Sequence, residues 1–164
     1  MTSRPRILAL ALAAALLFVA ACEEDEPTAE PPPADPFSLE WRHGEGTSVE
    51  LAGDRTGHEA GGTSDFQLTL RNPTGEAWTG EYCILLLSEA AGEVVVQHDT
   101  FDVESGADLG MTFPVTFPDE LQDAVVGFAV IVPERGAAAG RIEVGRPAAG
   151  APAPPTTPPE CPGE

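Results

Sequence analysis

Apolar and polar residues alternate with a period of two through much of the chain. Phe37, Leu39 and Trp41 alternate with polar neighbours, and the same alternation covers 111–118. Such alternation puts one row of side chains in a core and the other row in water, as in a half-buried β-strand. The pattern predicts strands here and in four further segments that alternate in the same way: 48–51, 65–71, 101–104 and 141–145.

Three other segments are almost continuously apolar, namely 78–87, 94–96 and 124–132. Such runs are typical of central strands that are covered on both faces, or of a strand whose outer face meets another surface. The periodicity of 124–132 would also allow a helix, but its β-branched residues and the Pro133 that follows favour a strand.

Turn sequences separate these segments. The sequence Asn-Pro-Thr-Gly at 72–75 has the residues of a type I turn, and Gly-containing turns follow three later segments. A short helical turn is expected only at 118–123. Seven to nine short strands between such turns predict an all-β fold, an antiparallel β-sandwich over residues 37–146.

Two stretches carry a family resemblance. Residues 66–74 form a strand followed by an Asn-x-Thr turn, and 101–117 form a strand, a Gly-containing turn and a second strand. The pattern resembles the immunoglobulin-like and fibronectin-III-like domains of bacterial extracytoplasmic proteins, which implies an immunoglobulin-like sandwich. The Cys-Trp-Cys core signature of antibody-type domains is absent. A resemblance at the level of the fold implies no particular function.

The segments on either side of this region differ in composition. Residues 22–36 hold six acids and five prolines, and residues 147–164 hold seven prolines. Neither segment has enough large apolar side chains to fold, so both are expected to be disordered. Charge repulsion and proline keep such a chain extended, so we expect 22–36 to act as a tether and 147–164 as a tail.

The N-terminus has the order of a secretory signal peptide. Arg4 and Arg6 precede residues 7–21, which contain no polar side chain. The run is short for a membrane span, which needs about 20 apolar residues. It ends in Val-Ala-Ala-Cys at 19–22, which resembles the lipobox of bacterial lipoproteins.

The lipobox resemblance implies a sequence of processing steps. The thiol of Cys22 receives a diacylglyceryl group, residues 1–21 are removed, and lipid anchors the mature protein to a bacterial membrane on its extracytoplasmic side. An ordinary signal peptide with a chance cysteine after the cleavage site, or an uncleaved helical anchor, are the alternatives. Partners of the chain would then include the membrane, through Cys22.

The charge of the chain excludes one class of partner. Asp and Glu number 27 against eight basic residues, all of them Arg, for a formal net charge of −19. Nucleic acid is excluded because a phosphate-binding surface needs concentrated positive charge. Residues 37–146 hold 19 acids and six Arg, a net charge of −13, which would attract a basic partner or serve only to keep the domain soluble.

Two cysteines remain if Cys22 carries lipid. A disulfide between Cys83 and Cys161 would persist outside the cytoplasm and would fold the tail back along the sandwich. The alternative is a buried thiol at Cys83 and a free or intermolecular thiol at Cys161.

Catalytic and metal-binding motifs are absent from the sequence. It has no Gly-x-Ser-x-Gly, His-Glu-x-x-His, phosphate loop or Cys-x-x-Cys. His43, His58 and His98 are scattered, and His58 lies in a Gly-rich stretch that is expected to be a solvated loop. The acids of 99–108 lack the spacing of a calcium-binding loop. We therefore expect no catalytic residues, no metal ligands and no cofactor.

These observations favour a lipid-anchored protein of the cell envelope whose β-sandwich is a non-catalytic interaction module. Its contact surface would be an exposed edge strand or the outer face of the apolar strands, and its partner another envelope protein or the envelope matrix. The alternative is an extracytoplasmic binding protein for a small ligand or a divalent cation.

Overall fold

The computed structural model describes residues 35–44, 46–89, 91–133, 135–151 and 160–161. The expected signal peptide, Cys22, and most of the expected tether and tail lie outside the described residues. Within the described ranges the chain forms nine strands and a 3₁₀ turn at Asp119–Leu121. The strands are β1 (Phe37–His43), β2 (Thr47–Gly53), β3 (Gly57–His58), β4 (Thr63–Asn72), β5 (Trp78–Ser88), β6 (Gly92–Val103), β7 (Ala107–Thr116), β8 (Ala124–Val132) and β9 (Gly136–Val144).

The strands form two sheets that pack face to face. One sheet has four strands in the order β1-β2-β4-β7, and the other has five in the order β3-β9-β8-β5-β6. The predicted all-β, immunoglobulin-like sandwich of seven to nine strands is confirmed. No helix in the part of the chain that the structure describes has the length and apolarity needed to cross a bilayer.

Strand pairing departs from the antiparallel pattern at one edge of the sandwich. Strand β3 runs parallel to β9, with Gly57 opposite Glu143 and His58 opposite Val144. The short strand is held by backbone bonds, since the amide of Glu143 donates to Thr56 and that of Gly145 donates to His58. A two-residue strand has no period for a sequence pattern to reveal, so the chain was expected to be a loop here.

The alternating segments become strands with one buried face. In β4, which pairs antiparallel with β2 and β7, Phe66, Leu68 and Leu70 are buried and the residues between them face outward. Phe66 lies at the centre of an aromatic cluster, with ring centroids 4.6 Å from Phe128 and 6.0 Å from Phe37. Burial of these rings between the sheets supplies much of the hydrophobic stabilisation.

Two of the continuously apolar runs form adjacent central strands, β5 and β8. Their inward side chains join the main core. Their outward side chains form a second buried cluster, the outer cluster, which consists of Cys83, Leu85, Leu87, Ala129 and Ile131. Consecutive residues of β5 and β8 are apolar because both faces of these strands are covered.

The third apolar run, 94–96, has a different position. It lies in β6, the edge strand of the five-stranded sheet, and Val95 remains 46% exposed. The register of β5 against β6 shifts between Ile84 and Leu85, which leaves Val96 as the extra residue of a β-bulge. Three consecutive valines therefore mark an irregular edge and not a covered central strand.

Candidate interaction site

Cys83 and Cys161 are joined by a disulfide, with their Cα atoms 5.9 Å apart. Cys83 is fully buried on the outer side of β5, whereas Cys161 is partly exposed and packs against the outer cluster. The bond therefore attaches residues 160–161 to the outer face of the five-stranded sheet.

A cleft of about 440 Å³ opens beside the disulfide. Its lining residues include Glu81 of β5 and, from the C-terminal part of the chain, Glu160 and Cys161. The remaining lining residues come from the end of β8 and the start of β9: Ile131, Val132, Pro133, Gly136 and Ala137. The cleft thus combines residues of the sheet with two residues of the C-terminal segment.

An exposed histidine lies next to the buried cysteine of the disulfide. His98 of β6 is directly opposite Cys83 of β5 in the strand register. Its Nε2 lies 3.5 Å from Oε2 of Glu81, and both side chains are partly exposed. Opposed residues in an antiparallel pair project from the same face, so His98, Glu81 and the disulfide share the outer face of the sheet.

Strand β6 presents an open backbone edge. It pairs with β5 on one side, and none of the described strands pairs with its other side. On that side alternate residues turn their N–H and C=O groups outward, where they could bond to another extended chain, although the N–H of Thr100 donates to Oδ1 of Asp99 at 2.8 Å. The bulge at Val96 divides the edge, and the longer arm, 97–103, carries the exposed acids Asp99 and Asp102.

The outer face of the four-stranded sheet is polar. Arg71 of β4 contacts Oε2 of Glu50 at 2.9 Å and Oδ2 of Asp108 at 4.0 Å. These ion pairs are largely exposed, so they contribute little to stability. A flat face of polar side chains and exposed ion pairs offers no apolar anchor for a partner.

His58 is buried, contrary to the expectation of a solvated loop. Only 2% of its surface is exposed, and its ring stacks on Phe117 with centroids 4.4 Å apart. Its Nδ1 lies 3.0 Å from Oγ of Ser64. Burial lowers the pKa of His58 to about 4, and the carboxylate of Asp54 offsets this effect only in part. The imidazole is therefore neutral at neutral pH and acts as a core residue.

The three histidines occupy separate places in the fold, His43 in β1, His58 in β3 and His98 in β6. Among the residues that the structure describes, no three side chains of His, Cys, Asp or Glu come together as metal ligands do. The sequence identified Cys83 and Cys161 from cysteine counting, but it gave no signal for the position of His98 or Glu81, because that position depends on strand pairing.

Comparisons with known proteins extend only to the fold. No protein-family model matches the chain, and no curated protein sequence matches it. A β-glucosidase from Listeria innocua in complex with glucose is 13% identical with a TM-score of 0.49, and the match covers 60% of this chain but 16% of that chain. The chain thus matches a small part of the length of that enzyme.

Two smaller proteins also resemble the fold. The CARDB domain of a Pyrococcus furiosus protein, solved in complex with di-metal ions, is 13% identical with a TM-score of 0.48 over 66% of this chain and 89% of that chain. A superoxide reductase from Ignicoccus hospitalis is 10% identical with a TM-score of 0.40 over 70% of this chain and 81% of that chain. These likenesses concern the fold alone and imply no activity.

Proposed function

We propose that the chain is a lipid-anchored protein of the bacterial cell envelope, and that its sandwich is a non-catalytic module that binds another envelope component. The observation that carries the proposal is the open edge of β6, which the described strands leave unpaired. An open edge recognises an extended segment of a partner by main-chain hydrogen bonds, and neighbouring side chains supply the specificity.

The edge is favoured over the other surface that the sequence suggested, the outer face of the apolar strands. Leu85, Leu87 and Ile131 on that face are at most 6% exposed. Because a buried face offers no area to a partner, contact there would first require its cover to move. The β6 edge needs no such movement.

Charge favours a basic partner segment. Asp99 and Asp102 are exposed on the longer arm of β6, Glu104 follows the strand, and the domain as a whole has a net charge of −13. A field of this sign raises the association rate of a positively charged segment and falls off with salt. An extended, basic peptide of an envelope protein therefore fits the edge best.

Anchoring belongs to the same proposal and is supported by the sequence 19–22. Lipid on Cys22 would hold the protein at the extracytoplasmic surface of a membrane. Confinement to that surface raises the local concentration of a partner on the same membrane, so a modest affinity is sufficient. The acidic residues 22–36 would separate the domain from the membrane surface.

Site-specific crosslinking in intact cells tests the edge. A photoreactive residue replaces Thr100, which is exposed on the longer arm of β6, and Gln67 on the outer face of β4 receives the same residue as a control. We expect a discrete crosslinked partner from position 100 alone, with the crosslinked peptide of that partner rich in Lys or Arg.

Reversal of charge at Asp99 and Asp102 should reduce the yield, whereas reversal at Asp65 should not. Equal yields from positions 100 and 67 would contradict the proposal.

The alternative function, binding of a divalent cation, has a separate test. Thermal unfolding is measured with and without calcium, since a ligand that binds only the folded state raises the melting temperature. The interaction module predicts no shift at sub-millimolar calcium. A rise of several degrees would favour the alternative.

A further inference from the structure

We propose that the Cys83–Cys161 disulfide is an exchange site, at which a protein dithiol attacks Cys161 and releases residues 160–161 from the sheet. The inference does not depend on the identity of the partner at the β6 edge. It rests on the unequal exposure of the two cysteines, on the cleft beside Cys161 and on the histidine opposite Cys83.

The structure directs attack to one sulfur. Cys161 lines the cleft of about 440 Å³, whereas Cys83 does not line it and is fully buried. Thiol–disulfide exchange requires an incoming thiolate to reach a sulfur, so access decides which of the two is attacked. A thiolate that enters the cleft reaches Cys161, and Cys83 is the leaving group.

One side chain beside Cys83 assists the departure of its sulfur. A sulfur leaves more readily when its thiolate is stabilised, and a ring N–H that can donate a hydrogen bond to it has that effect. His98 is opposite Cys83 in the register, and Glu81 at 3.5 Å holds the ring on the same face. Cys161 packs on the outer cluster that contains Cys83, so its removal uncovers the Cys83 sulfur as the new thiolate forms.

The exchange balances in two steps. In the first, the thiolate of the dithiol forms a bond to the Cys161 sulfur, the Cys83–Cys161 bond breaks, and its electron pair leaves on Cys83, which takes up a proton. In the second, the remaining thiol of the dithiol attacks the dithiol sulfur that is bonded to Cys161. The bond between that sulfur and Cys161 breaks, and Cys161 leaves as a thiol. The dithiol loses two electrons and becomes a disulfide, and Cys83 and Cys161 become thiols.

The fold allows the bond to open without unfolding of the domain. The main core between the sheets is a separate cluster from the outer cluster, and neither cysteine belongs to it. Loss of the bond therefore leaves the sandwich packed but removes Glu160 and Cys161 from the cleft. The cleft exists as a complete site only in the oxidised protein.

Trapping with glutathione, a monothiol that cannot complete the second step, tests the direction of attack on the purified oxidised protein. We expect the mixed disulfide on Cys161 and a thiol at Cys83 that iodoacetamide alkylates, under conditions in which tryptophan fluorescence shows a folded domain. Glutathione on Cys83 alone would overturn the proposal. Release of thiols only at denaturant concentrations that unfold the domain would overturn it as well.

Three variants separate exchange from a structural role. His98→Gln is expected to lower the rate of reduction by dithiothreitol by about threefold or more, whereas His43→Gln on β1 leaves it unchanged. Neither change should alter the melting temperature of the oxidised protein. Cys161→Ser should fold cooperatively. A Cys161→Ser variant that fails to fold, or equal reduction rates for the two histidine variants, would contradict an exchange site.

Discussion

The side-chain amide of Asn72 donates a hydrogen bond to the carbonyl oxygen of Val103 at 3.0 Å, and this bond joins the two sheets. Asn72 ends β4 of the four-stranded sheet, and Val103 ends β6 of the five-stranded sheet. The same Nδ2 lies 2.8 Å from the carbonyl oxygen of Glu76 and 3.2 Å from that of Glu104. Oδ1 accepts from the backbone and the hydroxyl of Thr74. A fully buried amide thus bonds to two chain segments at once, 74–76 and 103–104.

Replacement of Asn72 should destabilise the domain strongly. Asn72→Ala leaves buried carbonyl groups without donors, at a cost of about 2–4 kcal/mol in the free energy of unfolding. Asn72→Asp keeps the shape but turns a carboxylate toward three carbonyl oxygens, so we expect an equal or larger loss. Urea unfolding, followed by the fluorescence of Trp41 and Trp78, measures both effects. Gln67→Ala, an exposed change in the same strand, should stay within about 0.5 kcal/mol of the parent.

Acid should destabilise the domain through His58. The pKa of His58 is about 4 in the folded protein against an ordinary value of 6.5, so the unfolded chain binds the proton more readily. The contribution of the neutral His58 to the free energy of unfolding is therefore complete above pH 6.5. It falls by roughly 1–3 kcal/mol as the pH decreases toward 4.

The variant His58→Phe isolates this effect. A phenyl ring can stack between Phe66 and Phe117 but cannot take up a proton. The stability difference between parent and variant should change between pH 6.5 and pH 4, whereas His98→Gln should track the parent. A constant difference across that range would contradict the assignment of the acid dependence to His58.

The sequence pattern predicted the strands that bury one row of side chains and expose the other. Alternation at 65–71 and 111–118 matches β4 and β7, because one face of each strand meets the core along its length. It did not predict β3, because the pair Gly57 and His58 becomes a strand only through pairing with β9. The residues at 72–75 predicted a type I turn, and the chain bends over 74–76. The bonds from Asn72 to Val103 and Glu104 join distant parts of the chain and have no local signal.

The candidate site was less predictable than the fold. Cysteine counting left a disulfide and two separate thiols as alternatives, since the choice depends on where the end of the chain lies. The run 94–96 suggested a covered strand, whereas the strand order places it at an edge. Position in a sheet is set by pairing with other strands, and composition does not encode it directly.

A side chain at Gly140 should disturb the contact between β1 and β9. A Cβ atom at this position would lie 2.6 Å and 2.8 Å from two carbons of the buried Phe37 ring. We expect Gly140→Ala to cost about 1–3 kcal/mol of unfolding free energy, as overpacking does. Gly110→Ala in β7 is the control, because its nearest neighbour would be the exposed Gln67 side chain at 3.6 Å.

Repacking provides a second check on this contact. Because the Phe37 ring is the obstacle, Phe37→Leu in the Gly140→Ala background should cost less than Phe37→Leu does in the parent. Additive losses in the double variant would show that Gly140 is constrained by something other than Phe37. Urea midpoints of the four proteins in this cycle give the coupling directly.

Replacement of Cys22 should abolish membrane anchoring. Each buried CH₂ group of an acyl chain contributes about 0.8 kcal/mol, so two or three chains on one residue account for stable attachment. Cys22→Ala removes the thiol that would receive the lipid, and we expect it to eliminate labelling by radioactive palmitate and to block conversion of the precursor to the mature form.

Cys161→Ala, the control, should be labelled and processed like the parent, because residue 161 lies far along the chain from the sequence 19–22. Labelling that persists in Cys22→Ala would place the lipid elsewhere. Loss of labelling in both variants would show that the effect is on folding or export and not on the acylated residue.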